Sequence, residues 1–163
     1  HRGVLKTGKM DDRSTFIKDL LAKTPDTKFD IYGLDKVQPI WADHYFKTIS
    51  NAKMGLNLSR GETIKYYSSD RITQIVGNGL VCLIDEKTQY RDFFNDNEMV
   101  FYKNTNDLSE KILKISRDDK RRKEIAKKGK KKYMKYFNSE LVAEYIVNRT
   151  LVISNKKNLI WQK

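Results

Sequence analysis

Two hydrophobic periods take turns along this chain. Segments whose apolar residues recur every third or fourth position read as amphipathic helices, and segments that alternate or run together read as strands. Val4-Leu5 is a short apolar start, the expected end of a strand. Asp12 to Lys23 carries Phe16, Ile17, Leu20 and Leu21 on one helical stripe, with Asp11 or Asp12 as N-cap. A turn at 24–28 (TPDTK) leads into KFDIYG at 28–33, which alternates like a strand and ends on Gly33. Pro39 opens a helix bearing Trp41, Tyr45, Phe46 and Ile49. Residues 53–58 alternate again, with Met54, Leu56 and Leu58 on one side.

The next stretch predicts a helix over roughly 69–77. Ile72, Ile75 and Val76 fall at i, i+3 and i+4 and should face a sheet, while Arg71, Gln74 and Asn78 lie on another face. Ser68 and Ser69 are placed to cap it, and Gly77 and Gly79 permit close packing and a left-handed exit. LVCLI at 80–84 is a continuous apolar run, as expected of a strand covered on both faces. A short helix at 88–94 and a strand at 98–102 follow. From Asn106 the pattern is helical throughout. It begins with a capping-box-like Asp107/Glu110 pair, continues through DKRRKEIAKKGKKKYMKYF, and ends in NSELVAEYIVNRTL behind Asn138 or Ser139. Residues 1–154 make one domain on this reading, and 155–163 form a tail that is frayed or docks by Ile160 and Trp161.

Strands alternating with helices predict an α/β fold. The expectation is one Rossmann-like, doubly wound parallel sheet of five or six strands, helices on both faces, 53–58 and 80–84 central, and a helical C-terminal segment. Ligands of such sheets sit where strands end. The loops of interest are therefore Lys6–Asp11, Gly33–Val37, Ser59–Ser69 and Asp85–Lys87.

Composition narrows the classes. The 163 residues are 39% hydrophobic and 33% charged, and no apolar run approaches the ~20 residues a bilayer requires. No signal-peptide core opens the chain, which begins at His1 rather than Met, so a preceding segment is expected. One cysteine and two histidines exclude an internal disulfide and argue against a structural zinc site, so no metal is expected. The whole suits a cytoplasmic protein. The net charge of +12 fits a nucleic-acid or membrane-surface partner, a phosphate-bearing small ligand, or a lysine-biased composition. Its concentration in one helix favours a solvated face over specific nucleic-acid binding, with peripheral contact to an anionic membrane left open. Cys82 reads as packing and His44 as a helix-surface residue.

At the start of the 69–77 helix the residue types suit an anion. Free N–H groups of a first turn, a guanidinium and an amide side chain point in one direction, as a ribose and a diphosphate require. At these residues the chain resembles the nucleotide-sugar-binding half of a GT-B glycosyltransferase, closest to the group 1 and CgeB-like branches. That family reads roughly Arg-x-x-Glu-x-x-x-x-Gly before an apolar strand, and RITQIVGNGLVCLID supplies Arg71 and Gly79. The downstream order is also similar: Tyr90, Phe93 and Phe94 on a helix, Glu98 to Tyr102 on a strand, then Leu108, Lys111 and Ile112, then Arg122, Ile125, Ala126 and Gly129. The likeness covers most of residues 28–150.

The resemblance implies a transferase that takes a sugar from a nucleotide-diphosphate sugar, with the donor as substrate and no separate cofactor. The acceptor, such as a surface polysaccharide or glycan, and any catalytic base belong to a second, N-terminal domain absent here, so this chain alone should be inactive. The donor set it implies is Arg71, Gln74, Ser69, Asp70, Arg60, Ser59 and Lys9. Gln74 departs from the family, standing where a glutamate binds ribose hydroxyls; an amide still accepts a hydrogen bond, but a weaker one. Arg60 suits a donor phosphate or a plain surface loop, Lys9 and Arg13 a phosphate loop or a structural role, and Tyr66 and Tyr67 base stacking or packing. The other reading of the chain is a non-catalytic α/β module binding nucleic acid or another ligand. A phosphoacceptor regulatory domain fits poorly, since Leu58-Ser59 stands where an aspartate would end the strand.

Overall fold

The computed structural model describes residues 12–59, 61–67, 69–153 and 159–161. Three strands form one parallel sheet: β1 (Met54–Asn57), β2 (Val81–Asp85) and β3 (Val100–Tyr102), in the order β1-β2-β3. Met54 lies opposite Val81 and Leu83 opposite Val100. Six helices surround it: α1 (Asp12–Lys23), α2 (Ala42–Asn51), α3 (Asp70–Gly77), α4 (Thr105–Ser116), α5 (Asp119–Tyr136) and α6 (Ser139–Thr150).

The pleat sends alternate residues to opposite faces, and here each face has its own core. Cys82, Ile84 and Phe101 pack with Ile72, Ile75 and Val76 of α3 and with the aromatic group Tyr90, Phe93 and Phe94. Val81, Leu83, Val100 and Tyr102 pack against Leu20 of α1 and Leu108, Ile112 and Ile115 of α4. The i, i+3, i+4 stripe of α3 is thus buried as its spacing requires, at about 1.5–3 kcal/mol per fully buried aliphatic side chain. At the outer edge of β3, Lys111 Nζ donates to Phe101 O at 2.7 Å.

Helix α5 follows the last described strand and α4, and it packs against the start of the sheet. Asp119 pairs at 3.8 Å with Lys53, the residue before β1. Arg121 donates to Asn97 and Lys132 pairs with Glu98, both just ahead of β3. Ile125 and Ala126 join one core and Tyr133 the other. The helix therefore runs beneath the edge where the strands begin and closes it.

Several expectations change. The described residues hold three strands rather than five or six, and β1 lies at an edge rather than in the centre. KFDIYG is not a strand: it leads into a turn in which Gly33 N donates to Val37 O and Val37 N to Leu34 O, with Gly33 at φ 72°. Its alternation marks a half-buried side, but its backbone pairs with no strand among the described residues. The Val4-Leu5 strand lies outside the described residues. Helix α2 starts at Ala42, with Trp41 as N-cap, instead of at Pro39. Residues 88–94 hold no α-helix; two 3-10 turns, 86–88 and 90–92, meet at Gln89 with φ 56°. The α4 cap is one turn earlier than Asp107/Glu110: Asn104 Oδ1 accepts from Asp107 N, and Asp107 Oδ2 accepts from Lys103 N. Asn138 does cap α6. Trp161 meets Phe137 and Tyr145 at ring-centroid distances of 5.4 and 6.3 Å.

At Gly129, α5 lies against the turn just ahead of β3. A Cβ there would sit 2.2 Å from the backbone oxygen of Glu98, which cannot rotate away. Gly129→Ala should therefore destabilise the domain by about 1–3 kcal/mol by overpacking, although alanine is the better helix former by up to ~1 kcal/mol. Urea unfolding checks this; an unchanged or raised midpoint would show that α5 does not seat as described.

Candidate functional site

All three strands end on the edge opposite α5. Leu58-Ser59 follows β1, Asp85 ends β2, and Tyr102-Lys103 ends β3. Between them and the first turn of α1 lies a cavity of about 500 Å³, within the range of small-molecule sites. Its walls include Arg13, Ser59, Thr63, Asp85, Lys87 and Tyr102. Asp85 holds the rim in shape: one carboxylate oxygen accepts from Lys87 N at 2.9 Å and the other from Thr63 Oγ1 at 3.2 Å, while its carbonyl accepts from Thr88 Oγ1 at 2.6 Å. Among the described residues, the lining holds three cations, Arg13, Lys87 and Lys103, and three carboxylates, Asp12, Glu62 and Asp85.

Tyr102 forms part of the wall. Its ring lies 5.8 Å from that of Phe16, and its buried hydroxyl has no hydrogen-bond partner among the described residues. Burial pushes its ionisation up, and the nearby Asp85 carboxylate and the Cys82 thiol act in the same direction. The phenol therefore stays neutral, an uncommitted donor beside a cavity. Burial likewise pushes the Cys82 thiol up to about 12, which makes it inert packing rather than a nucleophile. No group of three His, Cys, Asp or Glu side chains is placed to hold a metal ion among the described residues.

The residues picked out by sequence gather at the β1 exit. Arg71 Nη1 donates to Leu58 O at 2.8 Å, which sets the exposed guanidinium beside Ser59. Ser69 occupies the N-cap position of α3, but its hydroxyl makes no cap bond and lies 3.5 Å from Asn57 Oδ1, the long limit of a hydrogen bond. Asp70 opens the first turn, and Gln74 follows Arg71 one turn on, half-buried. Of the described members of this set, Ser59 alone lines the cavity. Lys9 and Arg60 lie outside the described residues, as does Ser68. Tyr66 is committed to its own loop: its hydroxyl bonds Asp92, its ring lies tilted 4.9 Å from that of Phe93, and its φ is 57°. Tyr67 is exposed, and His44 sits exposed on α2 with its ring 6.1 Å from Tyr32.

Sequence reasoning named the loops Ser59–Ser69, which holds Thr63, and Asp85–Lys87, but missed Tyr102 and Lys103. A polar-tipped residue ending the buried run MVFY was the available signal. Burying an unpaired hydroxyl costs about 1–3 kcal/mol. Tyr102→Phe should accordingly leave the ligand-free protein as stable or more stable by up to about that amount, read as the midpoint of thermal or urea unfolding. A loss exceeding 1 kcal/mol would mean that the hydroxyl has a partner after all.

A family model described as glycosyl transferase-like matches residues 13–148. No curated protein and no solved structure matches the chain. The matched span runs from the first turn of α1 through most of α6 and takes in the whole sheet, the cavity walls and the β1 exit with Arg71. The chain belongs to the glycosyl transferase-like family.

Proposed function

We propose that this chain is the donor-binding half of a cytoplasmic glycosyltransferase of the two-domain GT-B type, which moves a sugar from a nucleotide-diphosphate donor to a glycan acceptor held by a separate domain. The observation that carries this reading is the Arg71 guanidinium anchored on the Leu58 carbonyl, which puts a cation and the first turn of α3 together where β1 ends. In glycosyl transfer an acceptor hydroxyl attacks the anomeric carbon, the carbon–oxygen bond to phosphate breaks, and the nucleoside diphosphate leaves with added negative charge. Arg71 and the amides near Ser69 and Asp70 are suited to hold that charge. Only one of the guanidinium's five donors is used on Leu58, so others remain for phosphate.

In this reading Gln74 meets the ribose hydroxyls, Ser59, Arg60 and Lys9 add contacts around the diphosphate, and the cavity that opens at Ser59 takes the rest of the donor. The base that activates the acceptor lies in the other half, so the isolated chain turns nothing over.

Calorimetry with uridine, guanosine and adenosine diphosphates tests the assignment. Charge-assisted contacts contribute about 1.5–3 kcal/mol each, so Arg71→Ala should weaken binding roughly tenfold or more. Gln74→Glu should hold or improve affinity by supplying a charged acceptor. No binding of any diphosphate at millimolar concentration, or an Arg71→Ala variant that is folded by circular dichroism and binds as well as the parent, would falsify the assignment.

A further inference from the structure

Helix α5 holds ten of the chain's 33 Lys and Arg residues against two acids. The structure divides the ten by what they do. Arg121, Arg122 and Lys132 turn toward the protein and bond Asn97, Asp119 and Glu98. The other seven are exposed lysines. At 3.6 residues per turn, Lys120, Lys127 and Lys131 fall within about 40° of one another at the outermost point of the helix. Lys123 and Lys130 flank them on one side and Lys128 and Lys135 on the other, with Glu124 the only exposed acid among them. The buried face, Ile125, Ala126, Gly129 and Tyr133, lies directly opposite.

From this we infer that α5 is a docking face for an anionic lipid bilayer. The observations favour a bilayer over nucleic acid. The face is one helix of 18 residues, about 27 Å long, and so presents its charge along a line that a flat surface can meet at every point. Its cations are lysines, whose long stems lie along an interface while the ammonium stays wet. The arginines that would fork onto phosphates are spent on internal bonds, and no aromatic ring on this face offers a base a stacking surface. Met134, 46% exposed, adds an apolar contact within the same face. Position agrees as well: α5 closes the edge where strands begin, so a bilayer bound there leaves the cavity at the opposite edge open. None of this rests on the donor-site reading.

Vesicle co-sedimentation of the full chain is the test. Vesicles of phosphatidylcholine with phosphatidylglycerol should bind it, phosphatidylcholine alone should not, and binding should fall as salt rises. Each lysine near an anionic surface is worth about five-fold in partitioning. The triple change Lys127→Ala, Lys128→Ala, Lys131→Ala should therefore reduce it about a hundred-fold, and the same three changed to Arg should keep it. A control that removes equal charge elsewhere, Lys36→Ala, Lys47→Ala, Lys114→Ala, should lose only a few-fold. Equal losses in both alanine triples, equal binding to neutral vesicles, absence of vesicle binding, or displacement from vesicles by equimolar duplex DNA or single-stranded RNA would each overturn the proposal.

Discussion

Keeping water from both sides of β2 is the constraint on which the rest of this structure depends. Its residues Val81 to Ile84 are buried without exception, although the sheet has only three described strands to share the work. A strand this short has no reserve: each face must be sealed by a helix, and its starting edge too. Helix α3 seals one face and can do so only because β1 offers Gly55. A Cβ at that position would lie 2.5 Å from Ile75 Cγ1, inside the side chain that covers the sheet. Helices α1 and α4 seal the other face. Beneath, α5 reaches both cores by lying against the backbone of Glu98, and Gly129 makes that approach possible. Two glycines whose φ angles are ordinary are thus fixed by proximity alone.

What was legible in the sequence follows from the same constraint. Where burial is complete, the pattern specified the element: the run at 80–84 and the stripe Ile72/Ile75/Val76 stand where their periods put them, whereas the half-buried alternation Met54/Leu56 forms a strand because β2 pairs with it. Where burial is partial, the pattern specified only a side. KFDIYG alternates, yet alternation states which residues would face a core and not whether a backbone partner exists; the chain resolves it into a turn instead. Capping failed for a different reason. Asn104 and Asp107 satisfy the first turn of α4 reciprocally, and Asp107/Glu110 has the same spacing one turn later, so composition offered two registers and the strand end at Tyr102 selected the earlier one.

The site was legible in proportion to how much of it lies on regular structure. Arg71 and Gln74 belong to a helix whose orientation its apolar stripe dictates, so their common direction could be read from spacing. The cavity wall could not. Thr63 reaches Asp85 from a loop 22 residues earlier, and the last strand aligns Tyr102 with Asp85 through its register. Such proximities arise from topology, which sequence distance does not encode. Burial first, and the Asp85 carboxylate paired opposite second, keep the Tyr102 phenol protonated, so the ring adds no further anion to the wall.

Parallel pairing gives the molecule a direction, and the direction separates two kinds of charge. Every strand begins at the edge that α5 closes and ends at the edge that holds the cavity. The described rim of the cavity carries three cations and three carboxylates, whereas the outward side of α5 carries seven exposed lysines and one glutamate. A net charge of +12 therefore does not describe the environment of a ligand at the strand ends. Exposed charges farther apart than a Debye length, about 8 Å at physiological salt, are largely screened from one another, and the depth of the sheet lies between α5 and the cavity. On the reading proposed above, an anion at the strand ends meets local donors: the Arg71 guanidinium and the amides that open α3. The exposed lysines of α5 lie along the other edge. The densest positive charge of the described residues and the strand-end cavity are thus set apart by the direction of the strands.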